Sequence, residues 1–85
     1  MDSAEMKYII VNDRGFEAAI IFDITMNHSD MAVGHKVISA GMLNVYLDYK
    51  TKQMKVGCYG QSTTLKMKSR DEDSALIQRR LIYIP

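Results

Sequence analysis

The sequence predicts an α+β fold: an antiparallel β-sheet of about five strands in the order β-β-loop-β-β-β-α, with one C-terminal helix packed on one face. Three observations predict it. Short runs rich in Val, Ile, Tyr and Thr recur from Met6 to Lys68, separated by turn-forming residues. Within those runs apolar residues alternate, the period of a strand with two different faces. The sharpest helix-start signal comes only at Ser69.

Met6–Asn12 (MKYIIVN) reads as the first strand, too short for a comfortable helix. Asn12-Asp13-Arg14-Gly15 is a turn, because Asn and Asp bond their own backbone and Gly15 tolerates positive φ. Phe16–Asp23 returns as the second strand, with Phe16, Ala18, Ile20 and Phe22 on one face and Glu17, Ala19, Ile21 and Asp23 on the other. Ile24–His35 has no sustained period. It is read as a long connection with a short helical turn at Met26–Met31, capped by Asn27 or Ser29, and long connections often carry function. Lys36–Asp48 is the longest strand, with Gly41 marking a bulge, a bend or a close backbone approach. Gln53–Tyr59 is the fourth strand, Gly60-Gln61-Ser62 a turn, and Thr63–Lys68 the fifth strand. Ser69-Arg70-Asp71-Glu72 has the form of a capping box, and three acids in succession suit the positive end of a helix dipole. Leu76, Ile77 and Leu81 are the expected helix contacts, and Leu81–Pro85 is a last turn or an extended tail.

The 85 residues make one domain, with residues 1–5 expected as a flexible N-terminus. A chain this short buries only about 60% of its unfolded surface, so oligomerisation is a common remedy. Its 47% apolar and 25% charged composition is that of a globular protein. No apolar run reaches the roughly 18 residues needed to cross a bilayer, and acids precede the first apolar run, which is wrong for a secretory signal. The chain reads as cytoplasmic. The single cysteine, Cys58, suits a reducing compartment and is too few for a cysteine zinc cluster. Net charge is +1, yet Lys50, Lys52, Lys55, Lys66, Lys68 and Arg70 follow one another with no acid between them.

Candidate chemistry starts with MNHSDMAVGHK, which holds His28, Asp30 and His35. Zinc needs three or four converging ligands, and the spacing across Gly34 does not supply them; a solvated connection whose histidines serve turns and caps is the expectation. Ser39 with a histidine and an aspartate gives the residue types of a nucleophilic triad, but a triad is geometry, and no nucleophile elbow or phosphate-binding glycine loop accompanies it. No catalytic residue, metal or cofactor is assigned. Lys55, Lys66 and Lys68, with Tyr59, are expected on the sheet face turned away from the helix. There they would meet phosphates or an acidic protein, or simply guard strand edges. Arg80 falls inside the apolar arc of the helix, where its stem packs and its head reaches the rim or pairs across an interface. With seven methionines and with Ile9, Val11, Ile21, Ile38, Met42 and Tyr46 placed opposite the helix, that face is expected to need a partner, most simply a second copy.

KYIIVNDRGFEAAIIF, the histidine-serine-aspartate loop, VISAG, CYGQSTTL and SRDEDSALIQRRL together resemble a group of small proteins encoded by bacteriophages and prophages. The resemblance covers most of residues 6–81. It implies a bacterial host cytoplasm and brings no activity or site residue. Small phage accessory proteins often act by binding a host protein, defence nucleases included. The expectation is therefore a non-catalytic interaction protein, a homodimer, that binds a host protein through the 24–36 loop and the exposed sheet face. The alternative is a nucleic-acid-associated protein using the basic 50–70 sheet face.

Overall fold

The computed structural model describes residues 3–79. In chain order these form β1 (Ser3–Asp13), β2 (Phe16–Phe22), α1 (His28–Met31), β3 (Lys36–Asp48), β4 (Gln53–Tyr59), β5 (Gln61–Ser62), β6 (Met67–Lys68) and α2 (Asp71–Arg79). The protein is α+β. Four antiparallel strands make the main sheet, in the order β2-β1-β3-β4, and β5 and β6 form a separate two-stranded ribbon.

The first hairpin closes through Arg14 (φ 55°) and Gly15 (φ 88°). Two successive left-handed residues give the turn whose twist matches its flanking strands. Asn12 Oδ1 accepts the Gly15 N–H at 2.9 Å. β1 begins earlier than expected: Ser3, Ala4 and Glu5 pair with Tyr46, Val45 and Asn44 of β3.

β1, not β2, is the inner partner of β3. Both β2 and β3 run antiparallel to β1, so they are parallel to each other and their connection must pass over β1. Such a crossover needs about a dozen residues, which accounts for the length of the segment holding the histidines. α1 lies in it, and Met31 and Ala32 pack on Ile9, Val11, Phe22 and Ala40. The ribbon covers the same cluster with Leu65 and Met67. The expected fifth strand is corrected here: Thr63–Lys66 is the ribbon's turn, with Lys66 at φ 54°, and Gln61–Ser62, expected as a turn, is a strand arm.

On the other face α2 packs Ile77, flanked by Leu76, against Tyr8, Ile10, Leu43 and Val56. The centre of the sheet is thus covered by the chain itself on both sides. Tyr8, Ile9, Ile10 and Val11 are all buried without alternation, as a central strand between two layers must be. This overturns the expected bare apolar face. Ile9 and Val11 lie beneath α1 and the ribbon, while Ile21 and Ile38 face α2. Ile38 changes sides because the register shifts beside it: Ser39 opposes Ile10, but Val37 opposes Val11. Gly41 marks a close backbone approach, not the bulge. A Cβ there would meet the Tyr59 carbonyl oxygen at 2.7 Å and the Ser69 Cβ at 3.2 Å.

The start of α2 shifts by one residue. The Arg70 N–H donates to Asp73 Oδ2 (3.0 Å), so Asp73 plays the part expected of Glu72. The Ser69 N–H donates instead to the Gly60 carbonyl (3.0 Å). Arg80, Leu81 and the 82–85 tail lie outside the described residues. Among those described, no helix is long and apolar enough to cross a membrane.

Candidate functional site

The layer over the face opposite α2 stops short of the ends of β3 and β4. There Met42 pairs with Tyr59, Asn44 with Gly57 and Tyr46 with Lys55, while β1 adds Glu5 opposite Asn44 and Ser3 opposite Tyr46. Strand periodicity places these side chains on one face. Four residues singled out in the sequence, Met42, Tyr46, Lys55 and Tyr59, therefore come together. Tyr46, Tyr49 and Tyr59 are exposed and border a groove of about 520 Å³, with Asn44, Leu47 and Gly57 also lining it. A Cβ on Gly57 would meet nothing within 4 Å, so the groove is open above its floor. The Tyr59 hydroxyl donates to the Glu5 carboxylate, and that bond, more than burial, pushes the phenol's pKa up. The rings offer large apolar faces with polar tips and lose little freedom on contact.

The remaining candidates are placed elsewhere. His28 is buried, not solvated: its Nε2–H donates to the Gly41 carbonyl (2.8 Å) and its ring stands edge-on to Phe22, 5.4 Å between centroids. It pins the crossover to the sheet. Asp30 and His35 are exposed. Among the described residues no three His, Cys, Asp or Glu side chains gather as a metal site. Lys66 and Lys68 belong to the ribbon, whose Leu65 and Met67 turn toward the cluster opposite α2 and not toward α2 itself. The expected continuous basic face is therefore split, with Lys55 on the sheet and the other two on the layer above it.

A second constellation was not foreseen from the sequence. Asp73 is fully buried and accepts from the Tyr8 hydroxyl (2.6 Å), the Arg70 N–H (3.0 Å) and Arg70 Nε (2.9 Å). The same guanidinium reaches Glu17 on β2 at 2.6 Å. Burial alone would raise the Asp73 pKa, but the bonds from Tyr8 and Arg70 outweigh it and hold the carboxyl below its ordinary value. Burial, then the bond to Asp73, pushes the Tyr8 phenol well above its usual range. Burial also raises the Cys58 thiol, so this cysteine is a poor nucleophile. Ser39 Oγ, buried beside the carboxylate, makes no hydrogen bond of ordinary geometry. Asp73 and Arg70 border neither the tyrosine groove nor the polar crevices beside the ribbon. They tie the start of α2 to β1 and β2. A tyrosine inside an apolar run needs a hydroxyl partner, and that was the signal available in the sequence.

No protein-family model, curated protein or solved structure matches the chain. Fold and groove together define a small α+β protein with a self-covered sheet and an open, tyrosine-lined groove at one end.

Proposed function

We propose that the chain is a small non-catalytic interaction protein whose tyrosine groove takes an apolar side chain from a partner protein. One observation carries this reading: Tyr46, Tyr49 and Tyr59 stand exposed around an open groove at one end of a sheet whose centre the chain covers itself. Tyrosines around a pocket are the usual anchors of a binding surface. Ile24, Met26 and Val33 on the crossover are also exposed, apart from the groove. The resemblance to phage and prophage proteins points to a bacterial host protein as the partner, met in the host cytoplasm, with occlusion of its surface as the mode of action.

The nucleic-acid alternative uses the same tyrosines as stacking platforms beside Lys55. Two features weigh against it. Glu5 sits at the groove beside Tyr59, and Arg70 is engaged by Glu17 and Asp73. A salt titration separates the readings, since phosphate binding weakens steeply with ionic strength.

The test is capture from bacterial lysate with wild type and with Gly57→Val. The valine Cβ would meet nothing within 4 Å, so the side chain starts in the open space of the groove. The expected result is a protein retained by wild type and lost by Gly57→Val at unchanged thermal stability. An identical set of captured proteins for both would overturn the proposal.

A further inference from the structure

We infer that the outer edge of β2 is the pairing surface for a second copy of this chain, joined antiparallel about a twofold axis at Ala19. Asp13 and Phe16 flank a two-residue turn, so they exchange both ladder bonds, and the alternation that follows directs Ala18, Ile20 and Phe22 backbone groups inward to β1. The N–H and C=O of Glu17, Ala19 and Ile21 point the other way. Among the described residues no strand lies beyond β2, and none of these outward groups has a hydrogen-bond partner. Soluble proteins blunt such an edge with lysine, proline, a bulge or a cover. FEAAIIF has no lysine, proline or bulge, its one charge, Glu17, is drawn to Arg70, and Phe16 at its start is 72% exposed.

The strand is also complementary to itself. Pairing centred on Ala19 sets Glu17 opposite the second copy's Ile21, so no two carboxylates face each other. On the face opposite α2 it sets Phe16 against the second copy's Phe22, and Ala18 against its Ile20. The Phe22 ring is itself buried beside His28, so the apolar contact across the axis falls chiefly to the half-buried Ala18 and Ile20. About six backbone hydrogen bonds would form, making one continuous sheet of four strands from each copy with both α2 helices on the same face. This edge is distinct from the tyrosine groove, so each surface can be tested without the other.

The experiment is sedimentation velocity on the full chain at roughly 1–100 µM, where mass action resolves a weak dimer. Wild type should approach twice the chain mass. Phe16→Lys and Ala19→Pro should stay monomeric with unchanged circular dichroism, since Phe16 is exposed and the Ala19 N–H points away from β1. In a Cys58→Ala background, oxidised Ala19→Cys should crosslink to a dimer and Lys55→Cys should not, because residues paired across the axis lie within disulfide reach. A monomeric wild type throughout the range, dimers surviving both substitutions, or crosslinking through Lys55→Cys alone would each overturn the inference.

Discussion

The sheet ends in β4 on one side and β2 on the other, and the two ends are finished differently. Along β4 the outward backbone groups are taken by side chains of α2. The Val56 N–H donates to Gln78 Oε1 (2.8 Å), the Cys58 N–H to Ser74 Oγ (2.9 Å), and the Gln78 amide nitrogen donates back to the Met54 carbonyl. One carboxamide imitates the peptide group of a neighbouring strand. Among the described residues the outward backbone groups of β2 have no such cover: α2 meets β2 through the Arg70–Glu17 ion pair at its start and through the apolar cluster that holds Ile77, Ala19 and Ile21, none of which reaches those groups. The difference teaches that one short helix guards one edge. α2 anchors its N-terminus over β1 and β2 and carries its guarding side chains to β4, so the edge it leaves is the one beneath its start.

The largest expected effect comes from breaking that anchor. Asp73→Ala would leave Tyr8 and Arg70 without their buried acceptor, and should destabilise by about 3–5 kcal/mol, much of a small domain's stability. Chemical denaturation checks the size. Asp73→Asn, which keeps one acceptor, should lose less. Acid gives the same information. The folded carboxyl titrates below its ordinary value, so the unfolded chain takes up the proton first as pH falls. The stabilisation is complete above the unfolded value near pH 4 and disappears as pH drops through the folded one. The denaturation midpoint of wild type should fall across that range, and that of Asp73→Asn should fall less.

Next in size is Gly41→Ala. Its Cβ would press on the Tyr59 carbonyl oxygen, a backbone atom fixed in β4, and should cost about 1–3 kcal/mol. Removing the guard itself ranks third. Ser74→Ala with Gln78→Ala strips the β4 edge of its substitutes for a strand and should cost about 1–2 kcal/mol. Hydrogen exchange at Val56 and Cys58 should accelerate, and self-association should rise as β4 comes to resemble β2. Unchanged exchange at those two amides would mean the edge is protected by something other than α2.

What the residues disclosed in advance follows the range over which each feature is decided. The Asn12–Gly15 turn, the alternation of β2 and the bounds of β3 and β4 were legible because neighbours in the chain determine them. The pairing of β1 with β3 was not, since nothing local tells a strand which partner it will meet 30 residues on. Without that crossover, and without the ribbon, nothing legible in the sequence covers Ile9 and Val11, which are therefore expected on a bare face. The bulge at Ile38 reversed the strand parity from that point, a slip that no residue type announces. The site was legible in its sheet half, where Met42, Tyr46, Lys55 and Tyr59 follow from the β3–β4 register alone. It was not legible in the loop half, because His28 has the same composition signal whether it points to solvent or into the core. Asp73 resembled a helix-dipole residue, and only the distant Tyr8 hydroxyl gives it a second task.

The smallest expected effect sharpens the contrast at the point where α2 meets the open edge. Glu17 and Arg70 are both partly exposed, so their Coulomb gain is screened and the pair should contribute no more than about 1 kcal/mol. Glu17→Gln should therefore shift the denaturation midpoint slightly, and less at high salt. Arg70→Ala should do much more, because it also withdraws two bonds from the buried carboxylate of Asp73. A double-mutant cycle apportions the guanidinium between its two acids. If most of the coupling lies with Asp73, α2 adds no polar hold on the β2 edge, which stands ready to pair. If most lies with Glu17, α2 guards both edges, and the asymmetry between them is one of degree.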